Sequence, residues 1–131
     1  MPTAIVLGGG ESGLEAAAQL ARQLRQDEVV YLGPDPGPGR LPRQVRLVDE
    51  PAVFIEPGIR VVELAGGRYL HYDGLLVFLP EGAGVLAASE LAARAGWRRW
   101  PGLHLADDRS SGQEEALRMV AALAPHPAPV G

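Results

Sequence analysis

Apolar and polar positions change their period along this chain, and the changes predict its elements. Thr3 to Leu7 is a short apolar run of strand type. From Ser12 to about Arg25, Leu14, Ala17, Ala18, Ala21 and Leu24 recur at helical spacing, while Glu15, Gln19, Arg22 and Gln23 fall on the other side. That pattern predicts a helix with one apolar face to lay on a sheet, its small alanines allowing close approach. A second run, Glu28 to Leu32, completes a βαβ unit. Gly33-Pro-Asp-Pro-Gly-Pro-Gly39 then continues neither a helix nor a central strand, because its prolines remove donors and its glycines permit positive φ. It is a loop at the carboxyl end of the second strand, where ligands bind in an open α/β sheet.

Between Val45 and Leu79 the period shortens to β-like segments: Val45 to Val48, Val53 to Ile55, Arg60 to Leu64, Tyr69 to Tyr72 and Leu75 to Leu79. Turn signals at Pro57-Gly58 and Ala65-Gly-Gly-Arg68 predict an antiparallel meander inserted in the α/β domain. Leu75 to Leu79 is apolar throughout, as expected of a strand covered on both faces that returns to the parallel sheet. An alanine-rich helix over Val85 to Ala95, an apolar segment over Leu103 to Ala106 and a last helix from about Gly112 to Leu123 follow. Ser110 with Gln113, or Ser111 with Glu114, would form the capping box of that helix. Residues 1–124 thus read as one α/β domain, a central parallel sheet with flanking helices, and 125–131 as a proline-rich tail.

The main chemical signal lies between the first strand and the first helix. Gly8, Gly10 and Gly13 have the spacing in which the first glycine permits a tight turn, the second lets backbone amides reach a pyrophosphate, and the third lets helix and strand pack closely. The helix start then offers free N–H groups and a partial positive charge to an anion. Ser12 can donate to a phosphate oxygen or act as an N-cap, and Glu11 reads as a capping charge at the same helix start.

Composition narrows the chemistry. The chain has 131 residues, 47% hydrophobic and 21% charged, with a formal net charge of -4, which suits a globular protein and argues against a nucleic-acid binder. No run approaches membrane-spanning length, and Ala4 to Leu7 is too short for a signal segment, so the expected location is cytoplasmic. There is no cysteine, which excludes a redox disulfide, a thiolate nucleophile and a thiolate-held metal within these residues. All basic residues are arginine, which excludes a Walker-type or Schiff-base lysine. His71, His104 and His126 lack metal-ligand spacing, and Trp97 and Trp100 read as packing aromatics around Arg98-Arg99.

Three stretches in order resemble the FAD-binding domain of the two-dinucleotide-binding-domain flavoproteins, the pyridine nucleotide-disulfide oxidoreductase group that includes thioredoxin reductase, type II NADH dehydrogenase and sulfide:quinone reductase. They are Gly8-Gly-Gly-Glu-Ser-Gly-Leu-Glu-Ala-Ala17, Gly66-Gly-Arg-Tyr-Leu-His-Tyr-Asp-Gly-Leu-Leu-Val77 and Pro101-Gly-Leu-His-Leu-Ala-Asp-Asp108. The resemblance implies a Rossmann-like FAD/NAD(P)-binding fold without the domain that normally holds NAD(P)H. It implies an adenine dinucleotide as ligand, contacted by Gly8, Gly9, Gly10, Glu11, Ser12 and Gly13, with Asp108 meeting the ribityl and phosphate region. The chain departs from the family at Gly33, where an acidic residue usually holds the adenosine ribose and Asp35 is the substitute on offer. It departs again at Phe78-Leu79-Pro80, where the family has Ala-Thr-Gly, and at Asp107, where it has glycine. The leading expectation is FAD binding in an oxidoreductase context, with a homodimer or a redox partner protein covering the flavin. NAD(P) binding without flavin, and a non-catalytic remnant acting through protein contacts or as a nucleotide sensor, are the alternatives.

Overall fold

The apolar runs build the middle layer. In the computed structural model, which describes residues 2–25, 27–79, 81–89 and 100–123, β1 (Thr3–Leu7), β2 (Glu28–Leu32), β3 (Val45–Val48), β7 (Gly74–Phe78) and β8 (Leu103–Ala106) form one parallel sheet in the order β3-β2-β1-β7-β8. Val6 stands opposite Tyr31 on β2 and Leu76 on β7. From β1 the chain first progresses outward through β2 and β3, then crosses back to start the other half of the sheet at β7. The reversal of strand order therefore falls between β1 and β7, both central and β7 buried at every residue.

The pleat sends alternate side chains to opposite faces. Ala4, Val6, Val29, Tyr31, Leu76, Phe78 and Ala106 pack on one face beneath α1 (Gly10–Gln23) and α3 (Arg109–Leu123), which contribute Leu14, Ala17, Leu20, Ala116 and Met119. Ile5, Leu7, Val30, Leu32, Leu75, Val77 and Leu103 pack on the other face against Ile55, Val62, Leu64, Tyr72 and Leu86. That second cover is an antiparallel sheet of β4 (Ala52–Glu56), β5 (Val61–Leu64) and β6 (Tyr69–His71), with α2 (Ala83–Ala88) beside it. Ser89 fastens α2 to this sheet: its hydroxyl donates to the carbonyl of Val85 at 2.6 Å and accepts the Ile55 N–H at 2.7 Å. Each fully buried aliphatic or aromatic side chain in these two cores contributes about 1.5–3 kcal/mol.

The meander therefore exists, but it begins one strand later than the sequence pattern suggests. Val45 to Val48 lies in the parallel sheet, in register with Val29 to Leu32. Both predicted turns form: Ala65 to Arg68 closes a hairpin in which the Leu64 N–H donates to the Arg68 carbonyl at 2.8 Å, and residues 57–60 turn β4 into β5. Tyr72 and Asp73 anchor the meander's end, since Tyr72 is sealed in the core and an Asp73 carboxylate oxygen accepts the Thr3 N–H at 2.8 Å. Helix starts also shift. α1 begins at Gly10 rather than Ser12, and α3 begins at Arg109 rather than Gly112. Of the helix expected over Val85 to Ala95, residues up to Ala88 are helical; residues 90–99 with Trp97, and the expected tail with His126, lie outside the described residues.

Candidate functional site

The loops that leave the carboxyl ends of the parallel strands gather at one edge of the sheet: 8–9 after β1, 33–44 after β2, 79 and 81–82 after β7 and 107–108 after β8. Where strand order reverses, such an edge opens a crevice for ligands. Here the reversal, between β1 and β7, lies beside the glycine turn that follows β1.

The turn is built by backbone conformations that side chains resist. Gly8, Gly9 and Gly10 have φ of 74°, 89° and 52°, all in the left-handed region. The Gly8 N–H donates to the Leu32 carbonyl at 3.1 Å, pinning the turn to the end of β2. Gly9 is the residue before α1 and no side chain caps the helix. The first intrahelical bond runs from the Gly13 N–H to the Gly9 carbonyl at 3.2 Å, so the N–H groups of Gly10, Glu11 and Ser12 have no acceptor within the helix. Gly13 lies against the backbone of the turn: a β-carbon there would collide with the Gly8 carbonyl oxygen. Ser12 sits inside the first turn and is not the N-cap.

Charges ring this opening. Glu11 pairs with Arg40 from the loop after β2, and Glu15 pairs with Arg109 at the start of α3, 2.7 Å apart. Glu81, from the loop after β7, lies over Gly8, its β-carbon 3.0 Å from where a Gly8 β-carbon would be. Burial, followed by the carboxylates of Glu81 and Glu11, pushes the Tyr31 phenol above its ordinary pKa.

The other expected residues are placed as follows. Asp108 is the cap of α3. Its Oδ1 accepts the Ser111 N–H at 2.9 Å while Ser111 Oγ accepts the Asp108 N–H at 3.1 Å. The capping box is thus Asp108 with Ser111, replacing the pairs expected from Ser110 and Ser111 onward, and these hydrogen bonds from Ser111 hold the Asp108 carboxyl below the usual carboxylate range. Asp35 accepts the Gly37 N–H at 2.9 Å within its own exposed loop. Gly33 follows β2 directly, and its N–H donates to the Val48 carbonyl at 3.1 Å. The structure brings together Gly8 to Gly13 and Gly33, with Asp108 at the start of the helix that pairs with α1.

Phe78 links these parts and has a role that the sequence pattern does not reveal. Its ring is 1% exposed and lies between the glycine turn and α3. A β-carbon at Gly9 would stand 2.5 Å from its Cγ, and one at Gly112 would stand 2.5 Å from its Cζ. The bulk that replaces the family's alanine is thus turned into the helix layer and accommodated by two glycines, rather than projecting over the turn. Arg40 and Arg109 also escape sequence reading, because their partners lie far away along the chain. Away from the turn, His104 Nδ1 lies 3.0 Å from the buried Glu115 Oε1 beneath α3, and His71 is exposed on the meander. Among the described residues no cluster of three or more His, Cys, Asp or Glu could hold a metal, and no helix is long and apolar enough to cross a membrane.

No family model and no curated protein matches the sequence. Solved structures do resemble the fold. The GidA-related protein from Thermus thermophilus aligns at a TM-score of 0.56 with 18% identity, covering 93% of this chain and 97% of that one. The sulfide:quinone oxidoreductase from Aquifex aeolicus aligns at 0.51 with 16% identity, over 60% of this chain and 24% of its own. A pyridine nucleotide-disulfide family oxidoreductase from Enterococcus faecalis V583 aligns at 0.51 with 16% identity, over 60% and 22%. This chain spans about a quarter of the length of those two oxidoreductases. The Rossmann-like fold implied by the three motifs, a parallel sheet with helices on one face and an antiparallel meander on the other, is the fold observed.

Proposed function

We propose that the chain binds an adenine dinucleotide, FAD, with the pyrophosphate on the glycine turn at the start of α1. One observation carries the reading: three consecutive left-handed glycines, locked by Gly13 against Gly8, present unpaired N–H groups at the point where strand order reverses. The cradle fits a phosphate, since the Gly10 α-carbon faces open space with nothing within 4 Å of a β-carbon there. Gly10, Glu11 and Ser12 would hold the phosphates through backbone N–H groups, Ser12 adding its hydroxyl. Gly33 and Asp35 border the adenosine side and Asp108 the flavin side.

When bound, the isoalloxazine supplies the redox chemistry. The chain itself orients the cofactor and sets the field around its phosphates, where Arg40 and Arg109 offset Glu11 and Glu15. The similarity of the fold to oxidoreductases supports a role as a flavin-holding component of an oxidoreductase, with a second copy of the chain or a redox partner protein closing over the flavin.

The test is to purify the protein without added cofactor, record its visible absorption spectrum, and identify any nucleotide released on denaturation by mass spectrometry. Bound or readily added FAD supports the reading. A colourless protein that takes up neither FAD nor NAD(P) contradicts it and favours the non-catalytic alternative.

A further inference from the structure

Tyr31 lies near the end of β2, on the face covered by α1, and is only 2% exposed. Two glycines of the site hold its ring. A β-carbon at Gly13 would stand 3.2 Å from its Cε1, and one at Gly33 would stand 3.1 Å from its Cε2 and 3.2 Å from its hydroxyl oxygen. Gly33 is where a flavin-binding relative would carry the ribose-holding acid, and the space that such a side chain would leave through is bounded by the phenol of Tyr31. The other carboxylate on that side, Asp35, accepts a hydrogen bond inside its own loop.

A buried phenol ordinarily hydrogen-bonds through its O–H. Among the described residues nothing hydrogen-bonds the Tyr31 hydroxyl. The ring is set between the third glycine of the phosphate turn and the first residue after β2, with its hydroxyl beside the latter, and burial with Glu81 and Glu11 nearby keeps the phenol protonated at ordinary pH. The Tyr72 hydroxyl is sealed from solvent but the Tyr31 hydroxyl is not, and a donor that has no partner in the fold and touches solvent is open to a ligand oxygen.

We propose that Tyr31 is a ligand-binding residue: its hydroxyl, beside Gly33, donates to an oxygen of the ribose-phosphate end of the bound dinucleotide, in place of the carboxylate that this chain lacks after β2. The inference rests on the dinucleotide reading above.

FAD is titrated into the wild-type protein and into Tyr31→Phe, followed by flavin fluorescence, and the melting temperature of each protein is measured without ligand. The substitution removes one oxygen and leaves the ring between its glycines. Tyr31→Phe should bind FAD roughly tenfold more weakly, the effect of one lost hydrogen bond to an oxygen of a charged ligand. Its ligand-free melting temperature should be unchanged or higher, because no internal bond is lost. Equal affinity of the two proteins overturns the assignment and leaves the dinucleotide reading standing. A lower ligand-free melting temperature also overturns it, by showing that the hydroxyl has a partner within the fold. Failure of the wild type to bind FAD removes the dinucleotide reading and this inference with it.

Discussion

The α-carbon of Gly13 lies against the carbonyl oxygen of Gly8, with no room between them for a β-carbon. The contact fixes how closely α1 approaches the end of β1, and so where the unpaired N–H groups of the helix point. Gly13→Ala must push helix and turn apart. It should destabilise the fold by on the order of 1–3 kcal/mol in denaturant unfolding and weaken FAD binding as well. A Gly13→Ala protein of wild-type stability would show that the approach is not tight.

Phe78 sets a similar constraint at α3. Alanine is the better helix former, so Gly112→Ala on an open helix would stabilise by roughly 0.5–1 kcal/mol. Here it should destabilise, because its β-carbon would stand 2.5 Å from Phe78 Cζ. Phe78→Ala alone should cost about 3–5 kcal/mol through the cavity it leaves. In that background Gly112→Ala should no longer destabilise. A double-mutant cycle in urea measures the coupling, and additive effects would show that the ring and Gly112 do not meet.

Much of this is legible in the sequence, and the failures have physical causes. β1 and β2 match their predicted bounds, and β8 those of its apolar segment, because short apolar runs between turn signals leave few alternatives. The pattern misplaces Val45 to Val48 because alternation along a strand says which residues are buried but not which strand lies alongside. Its partner β2 is separated from it by the whole 33–44 loop. The start of α3 escapes the pattern because Asp108 caps it through Ser111, a pair that the Glu/Gln form of the capping box does not describe. In the site, the glycine spacing is readable because each glycine answers a local backbone demand. The Glu11–Arg40 pair is not, since 29 residues separate its members. Tyr31 does leave a signal, an aromatic residue two positions before a glycine on the same strand face. That spacing puts ring and α-carbon side by side.

The Tyr72 hydroxyl is sealed in the core between the two sheets, and among the described residues it has no hydrogen-bond partner. Tyr72→Phe should be neutral or stabilising by up to about 1 kcal/mol at neutral pH. Burial raises the Tyr72 pKa from 10.0 to about 12, so the neutral phenol favours the fold below pH 10.0, and that advantage is lost as pH rises towards about 12. Across that window the wild type should lose stability faster than Tyr72→Phe. Parallel alkaline melting curves for the two proteins would contradict the burial of this group.

Glu11 holds Arg40 at the helix start where a phosphate would sit. Glu11→Gln removes a negative charge from the anion site and releases the arginine. FAD affinity should rise by roughly two- to fivefold at low salt, and the gain should shrink as salt is added. Unchanged or weaker binding, measured by calorimetry at two ionic strengths, would place the phosphates elsewhere.

The most direct measurement of the central claim is a titration of isotope-labelled protein with FAD, followed through its backbone amide resonances. If the pyrophosphate rests on the glycine turn, the largest shifts fall on the amides of Gly9, Gly10, Glu11, Ser12 and Gly13, with smaller ones at Gly33. Saturating FAD that leaves those amides unmoved, or shifts only residues away from the carboxyl edge of the parallel sheet, would contradict the account.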